Sequence, residues 1–511
     1  MTTRQKIALA SFLLLALLIL VLIVLVPRLA DIDRYRPEVV SRIERGSGRS
    51  AKIGRLDLTI LPVLAVRADN VVIGNPPGFP SGSFLEIHRA YARLDARGLL
   101  HRQIVVRSLQ LEGPALNLIS DRAGRWNTEG PPDGRVQARA AAWQSNPAPA
   151  RAPATMPATM IDTVTIQHGR VTVANQLPSG ELSSLSVEAN GVSVDLKNVN
   201  PEALGLQLAG TPHQGLRSGD GASQARRSQP MVTEAAWTRP ASFQIAQDST
   251  PAASPQGRLA ASGTVAAESA RFGAITATGI KSGLEIHSGG LLAKNIVLQL
   301  FGGQVTGDLR WNPSSQPPSY ATQLALSGLD MERALLNFPG ARGKLTGKLD
   351  GKAEIAGWTA AGNAGDPLAN LQGAGSVTIH NGSLPAIRLN RDLTLLMKNV
   401  VRTAEGSADP STFRSLSADF EIAQGEIRSR QIVILGNGIN LNVSGSVAIG
   451  GEGKLDYRGT GEIMARQSVG GLVAGLLGST MGAGGRITFP FTLTGTLVSP
   501  RFQAPRSPFL H

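Results

Sequence analysis

The sequence predicts a mainly β protein that begins with a transmembrane helix. An uninterrupted apolar run covers residues 7–26, with Ser11 as its only clearly polar side chain. Most of the remaining chain alternates between aliphatic and polar residues with period two, as strands do when one face is dry and the other is wet. Glycine (58 residues) and proline (31) are abundant, which is expected of many short strands joined by turns.

The apolar run has the length of a membrane-spanning helix. At about 1.5 Å per residue it extends roughly 30 Å, the thickness of a bilayer's hydrocarbon core. A cleaved signal peptide is the alternative, but the run ends in Val26-Pro27-Arg28 instead of a small-x-small site, so an uncleaved anchor is favoured. Basic residues flank both ends, and charge alone therefore selects no orientation. The anchor is represented by Ile7, Phe12, Leu17, Leu22 and Val26.

The alternating aliphatic residues predict a continuous dry face. Alternation by itself does not separate a core filled by the protein's own side chains from a groove that accepts acyl chains, and the pattern alone favours the filled core. The positions predicted to line this face are Leu56, Leu58, Leu109, Leu111, Leu204, Leu206, Leu208, Ile296, Leu298, Leu300, Ile439, Leu441, Val443, Phe489 and Phe491.

Composition divides the chain into segments. Residues 130–160 and 211–256 are rich in Pro, Ala, Ser and Gln, which predicts a disordered linker and a disordered insertion. The predicted order is an amino-terminal segment (1–6), the membrane helix (7–26), a β module (27–129), the linker (130–160), a β segment (161–210), the insertion (211–256), a β-sheet segment (257–358), a short linker (359–368) and a carboxy-terminal β region (369–511).

Two short helices are expected within these segments. Asp33 to Arg45 has Pro37 in its first turn and is predicted to end at Gly46. Leu389, Leu393 and Val400 recur at helical spacing, which predicts an amphipathic helix. That helix either packs on the sheet or binds a membrane or partner.

No residue pattern in the sequence indicates a catalytic site. The chain has no cysteine, which excludes disulfides, thiolate nucleophiles and iron–sulfur sites. The seven histidines form no metal-ligand motif, and no G-x-S-x-G sequence occurs. A protein with no enzymatic activity, no metal and no cofactor is therefore expected.

The chain is basic, with a formal net charge of +13. This charge suits anionic partners such as phospholipid head groups or lipopolysaccharide, or it reflects arginine spread over a solvated surface. The basic residues are dispersed and no recognition motif accompanies them, which disfavours nucleic acid. Arg42, Arg45, Arg49 and Lys52 follow the apolar run closely and are predicted to contact head groups.

Several stretches resemble the AsmA family. The amino-terminal ones are "GRSAKIG" (Gly48 to Gly54), "LPVLAVRADNVVIGNPPGFP" (Leu61 to Pro80), "IHRAYARLDARGLLHRQIVVRSLQLEGPALNL" (Ile87 to Leu118) and "DRAGRWN" (Asp121 to Asn127). The carboxy-terminal ones are "LQLFGGQVTGDLRW" (Leu298 to Trp311), "LTGKLDGKAEIAG" (Leu345 to Gly357), "GAGSVTIHNGSLPAI" (Gly373 to Ile387) and "FTLTGTLVSPRF" (Phe491 to Phe502).

The resemblance implies a single-pass inner-membrane protein with residues 1–6 in the cytoplasm and most of its chain in the periplasm of a Gram-negative bacterium. The implied fold is an elongated, curved, largely antiparallel β-sheet with a groove-like face and a few short helices. The implied function is binding or conducting phospholipid between the inner and outer membranes, with lipopolysaccharide and envelope-assembly proteins as further partners. The alternative is an assembly factor for outer-membrane proteins with a self-filled core. About two dozen strands are expected, spanning roughly 115 Å.

Overall fold

The structure is a computed structural model, in which the following residues are described: 32–59, 63–95, 98, 105–121, 125–128, 160–176, 182, 187–201, 203, 257–313, 315, 318–337, 341–358, 370–384, 412–436, 439–449, 453–464, 486–497 and 499–503. The predicted membrane helix (7–26), the amphipathic helix around Leu393, and Leu204, Leu206 and Leu208 lie outside these residues. Within them, no helix is long and apolar enough to cross a membrane.

The described chain is mainly β. Its strands are β1 (Ala51–Thr59), β2 (Ala65–Gly74), β3 (Ser83–Leu94), β4 (Val106–Ser120), β5 (Ile161–Asn175), β6 (Val187–Val199), β7 (Leu259–Phe272), β8 (Ile275–His287), β9 (Gly290–Leu300), β10 (Gly303–Asn312), β11 (Ser319–Asp330), β12 (Lys348–Trp358), β13 (Gln372–Ser383), β14 (Thr412–Ala423), β15 (Glu426–Gly436), β16 (Ile439–Ala448), β17 (Lys454–Met464), β18 (Arg486–Thr496) and β19 (Pro500–Gln503).

All nineteen strands belong to one long, curved, open sheet. Each strand pairs with the strand that follows it in sequence, from β1 to β19. The pairings are antiparallel except that of β4 with β5, which is parallel. At about 4.8 Å per strand the sheet extends roughly 85 Å along its contour, shorter than the 115 Å expected from the sequence.

Two α-helices are described, α1 (Arg36–Ser47) and α2 (Met331–Leu335). A 3-10 turn at Ile32–Tyr35 precedes α1, and Pro37 lies in the first turn of α1. The prediction that this helix ends at Gly46 was wrong. The residue that turns into the left-handed conformation is Gly48, with φ of 67°, and its N–H donates to the carbonyl of Glu44. A glycine ends a helix only where the chain adopts that conformation, and Gly46 remains inside the last turn.

Side chains that precede β1 cover its outer edge. The N–H of Ala51 donates to Glu44 Oε1 at 3.0 Å, and the N–H of Leu56 donates to Asp33 Oδ1 at 3.1 Å. Arg36 donates to the carbonyl oxygen of Gly54 at 2.7 Å. An uncovered edge strand is a template for pairing with another chain, so these contacts protect the first strand of the sheet.

A line of left-handed residues crosses the first half of the sheet, and we call this line the crease. Asn70 and Gly113 lie on either side of His88 in the strand register. Such residues shift the alternation of a strand by one position. The crease comprises Asn70 (φ 52°), Gly113 (62°), His168 (55°), Gly191 (62°) and Gly279 (61°).

The phase shift at the crease keeps apolar residues on one face. Val71 and Ala68 are three positions apart in β2, a spacing that in a regular strand places side chains on opposite faces. Both nevertheless pack in the same hydrophobic cluster, under α1. Leu85 and Ala90 of β3, on either side of His88, also belong to it. The sheet therefore has one apolar face on both sides of the crease.

Two hydrophobic clusters lie at the ends of this apolar face. At the first end, Val39, Val40 and Ile43 of α1 pack against β1 to β4. At the other end, side chains from β13 to β18 form a core in which Ile487 and Phe489 are fully buried. The sheet is thus covered by a helix at one end and filled by its own side chains at the other.

Candidate functional site

The apolar face carries a continuous line of uncharged residues, all but one of them non-polar. Directly opposed residues on neighbouring strands point to the same face of a sheet, so the strand register can be followed from β1 to β19. We call the resulting line the apolar row. Its members are Leu58, Val66, Ala92, Leu109, Val164, Leu196, Gly263, Leu284, Ala293, Leu309, Thr322, Ile355, Gly373, Ile422, Ile427, Val447, Leu455, Gly495 and Pro500.

The apolar row combines low polarity with partial exposure. None of its residues is charged, and Thr322 has its only polar side chain. Ala293, Ile422 and Leu455 are buried, whereas the others are half-buried. A core filled by the described side chains would bury the leucines and isoleucines of the row. The described chain therefore leaves most of this row only partly covered.

A second apolar row runs on the other side of the crease. It joins β1 to β10 through directly opposed residues and contains only aliphatic side chains and glycine, so the apolar face is at least two rows wide over these strands. This second row comprises Ala51, Ile73, Leu85, Leu116, Val171, Ala189, Ala270, Ala277, Leu300 and Gly303.

An aromatic pair lies where the apolar face meets one rim of the sheet. Trp311, at the end of β10, is directly opposite Leu291 of β9 and Tyr320 of β11. The Trp311 side chain shares a face with Leu309 of the apolar row and is 46% exposed. Trp and Tyr suit a border with one apolar and one wet side, because each combines an apolar ring with a polar group.

The carboxy-terminal part of the apolar face is closed by aromatic side chains. The rings of Phe491 and Phe502 stack with centroids 4.9 Å apart, and Phe489 lies 6.4 Å from Phe491. Tyr457 is buried beside them, and this burial raises the pKa of its hydroxyl. The partly covered portion of the face therefore lies mainly between β4 and β12.

The structure describes most of the residues predicted to line the dry face. Leu58 and Leu109 belong to the apolar row, and Leu300 belongs to the second row. Ile439, Leu441, Val443, Phe489 and Phe491 lie inside the filled carboxy-terminal cluster. The remaining described positions lie on the same face in register with aliphatic or small partners: Leu56, Leu111, Ile296 and Leu298.

The four predicted head-group residues have different surroundings. Arg42 and Lys52 are exposed. Arg45 donates to the carbonyl oxygen of Ser41 at 3.2 Å and lies 3.5 Å from Glu38. Arg49 is half-buried, donates to the carbonyl oxygen of Asn127 and lies with its guanidinium 4.1 Å from the ring centre of Phe84. Burial lowers the pKa of Arg49.

The opposite face of the sheet is polar and carries ion pairs across strands. Asp69 accepts from Arg67, with 2.9 Å between the closest atoms, and from Arg89 at 3.3 Å. Arg89 also contacts Glu112 at 2.8 Å. The hydrogen bond from Arg67 is the main cause of a lowered pKa for the Asp69 carboxyl. These ion pairs make this face less suited to an apolar ligand than the apolar face.

The described residues include no group of three or more His, Asp or Glu side chains close enough to share a metal ion. The apolar face, with its half-buried aliphatic rows and aromatic rim, is the site that the geometry singles out for binding.

Comparison with known proteins finds a similarity for the first part of the chain. The family model described as the AsmA family matches residues 1–200, a segment that contains β1 to β6 and α1. No curated protein matches the chain. The match confirms the resemblance seen in the sequence over this part of the chain: residues 1–200 are similar to the AsmA family.

Proposed function

We propose that this protein binds the acyl chains of phospholipids along its apolar face and takes part in building the bacterial envelope without catalysing a reaction. The apolar row is the observation that carries the proposal, because it crosses all nineteen strands with no charge and stays half-buried over most of its length. In this proposal residues 7–26 anchor the chain in the inner membrane and the sheet lies in the periplasm, where it conducts lipid towards the outer membrane.

The dimensions of the apolar face suit acyl chains. Its partly covered portion, β4 to β12, extends roughly 40 Å at about 4.8 Å per strand. One leaflet of a bilayer holds its acyl chains in about 15 Å, half of the hydrocarbon core. Each methylene that moves from water onto this face contributes about 0.8 kcal/mol. The aliphatic rows would then contact the acyl chains, while Trp311 and Tyr320 would lie near the head group.

A second candidate function is a structural or assembly factor for outer-membrane proteins with no lipid conduit. The filled cluster between β13 and β18 favours it, because there the dry face is occupied by the protein's own side chains. Lipopolysaccharide and envelope-assembly proteins are further candidate partners of either function.

Lipid that co-purifies with the full chain separates the two functions. The chain would be extracted in detergent, washed, and examined by mass spectrometry for bound phospholipid. Leu284→Asp places a charge in the apolar row of β8, and Thr276→Asp places the same charge on the polar face of that strand, where Thr276 is exposed. We expect phospholipid with the wild type and Thr276→Asp, and its loss with Leu284→Asp. Thermal denaturation must show that Leu284→Asp remains folded.

Fluorescence provides a second measurement at the rim. Phospholipids with bromine on the acyl-chain carbons nearest the head group quench a tryptophan that lies close to that part of the lipid. We expect quenching in the wild type that decreases in Trp311→Phe and persists in Trp358→Phe, because Trp358 is in register with Ser319 on the polar face. Absence of co-purified lipid together with unchanged quenching in Trp311→Phe would favour the assembly factor.

A further inference from the structure

A depression of about 660 Å³ lies near the last strands of the sheet, and it belongs to neither of the apolar rows. Its lining includes Arg430 of β15, Ser444 of β16, Arg458 of β17, Thr492 of β18 and Gln503 of β19. The volume is in the range of small-molecule sites, about 300–1,000 Å³. Arg430, Arg458, Thr492 and Gln503 are exposed, so the depression opens on the polar face of the sheet.

The strand register brings these polar residues into one line. Ser444 is directly opposite Arg458, Arg458 is opposite Thr492, and Thr492 is opposite Gln503. Between Ser429 and Ile432 the register of β15 shifts by one residue. This bulge places Arg430 and Gln431 opposite Ser444, and bulges commonly redirect a side chain in this way. Arg430 and Arg458 are therefore two strands apart, with about 10 Å between their backbones.

The charges around the depression leave it basic. Its lining contains two arginines and no carboxylate. The nearest anion to Arg430 is Glu421 at 3.8 Å, and the two side chains are 82% and 59% exposed, so water and salt screen this pair almost completely. Asp456 shares the face with Arg458 but is in register with Ser446 and Thr494, one row away. The positive charge of the depression is thus not neutralised within its own lining.

We propose that this depression binds a phosphate group. Two guanidinium groups about two strands apart can reach one tetrahedral anion from both sides, and Arg forms strong charge-assisted hydrogen bonds with phosphate. The hydroxyls of Ser444, Thr460 and Thr492 supply further donors. Val443 and Phe491 also line the depression, although their side chains belong to the filled cluster on the apolar face. The polar side chains of the site point to the other side of the sheet, and the site does not depend on the proposed acyl-chain binding.

The test uses the full chain in a neutral detergent and isothermal titration calorimetry with two ligands. Inorganic phosphate tests the phosphate group alone, and water-soluble dihexanoyl phosphatidic acid tests the same group on a lipid. Arg430→Gln and Arg458→Gln remove one guanidinium each. Arg428→Gln is the matched control, since Arg428 lies on the same strand and face but outside the lining and pairs with Glu426 at 3.0 Å. All three are surface changes that should leave the fold intact.

We expect each lining variant to weaken binding about tenfold or more and Arg428→Gln to bind as the wild type does. If both ligands bind the wild type and both bind more weakly to Arg430→Gln and Arg458→Gln, the phosphate group by itself is sufficient for binding. Binding of phosphatidic acid alone, with the same loss in the two variants, identifies a lipid head group. The proposal is overturned if neither ligand binds, or if Arg430→Gln and Arg458→Gln bind as tightly as Arg428→Gln does.

Discussion

The ring of Phe489 lies over Gly461, its directly opposed partner on β17. A methyl group on Gly461 would clash with the Cζ end of this ring, and Phe489 is fully buried, so neither partner has room to move. Gly459 is directly opposite Phe491 in the same way, and a methyl group there would lie 3.0 Å from the Cζ of that ring. The aromatic end of the sheet thus depends on glycines as much as on its phenylalanines.

Gly461→Ala is expected to destabilise the protein by about 1–3 kcal/mol, because overpacking in a filled core displaces buried side chains. Gly283→Ala is the control: an added methyl group at this strand glycine meets only ordinary contacts with Lys294. The control should be neutral or slightly stabilising. Thermal denaturation of the two variants checks the prediction, and equal melting temperatures would contradict it.

The left-handed conformation of Asn70 in the crease, with φ of 52°, predicts which substitutions at this position destabilise the protein. Asn70→Gly should be neutral or slightly stabilising, since glycine adopts this conformation without strain. Asn70→Val should cost about 1–3 kcal/mol, since a β-branched residue is strained there. Chemical denaturation would measure both. Equal stability of the two variants would show that this position does not require the left-handed conformation.

The covered edge of β1 predicts a change in self-association. The double variant Asp33→Ala with Glu44→Ala removes the acceptors for the N–H groups of Leu56 and Ala51. We expect it to self-associate more than the wild type, because its edge becomes available for strand pairing. Size-exclusion chromatography with light scattering would measure the change. Glu38→Ala, which removes only the helix-surface pair with Arg45, is the control and should behave like the wild type.

The ion pairs of Asp69 predict a dependence on pH. Because its pKa is lowered in the folded state, the pairs contribute their full stability above the unfolded pKa of about 3.9 and lose it as pH falls through the folded pKa. Asp69→Asn should lower stability near neutral pH by at most about 1 kcal/mol. The difference from wild type should shrink below about pH 4.

Melting temperatures measured across this pH range would check the prediction. Asp162→Asn is a control, because its 58% exposed carboxylate reaches only Arg107, at 3.4 Å. A difference in melting temperature between Asp69→Asn and wild type that persists at the lowest pH would show that the ionised Asp69 carboxylate is not the source of the stability.

Alternation predicted the strands well where the backbone is regular. Ile439, Leu441 and Val443 alternate, and all three are buried on one face. The crease could not be predicted in the same way, because a left-handed asparagine or histidine shifts the pattern by one residue without a distinctive sequence. Regular alternation therefore places Val71 and Ala68 on opposite faces of the sheet, although they pack in one cluster. The apolar row also depends on register across strands, which no single strand encodes.

The candidate site was predicted only in part, again because some of its features depend on contacts between distant segments of the chain. Leu58 and Leu109 were expected on the dry face and lie in the apolar row, whereas the half-buried state of the row depends on the curvature of the whole sheet. Arg49 illustrates what local sequence misses. Its position close to the apolar run predicts a head-group contact, but in the structure it reaches Asn127 and Phe84, which come much later in the chain. The depression near the last strands depends on a bulge in β15, and no local sequence pattern predicts that bulge.

The strictly sequential strand order has a mechanical consequence. Since each strand bonds only to its neighbours in sequence, the first and last strands lie at opposite ends of the sheet, and a force applied to the two ends of the described chain loads the strand pairs in series. Stability in such an arrangement is the sum of nearest-neighbour terms. Under tension the sheet should therefore unzip strand by strand from its ends, with β19, which has four residues, detaching first.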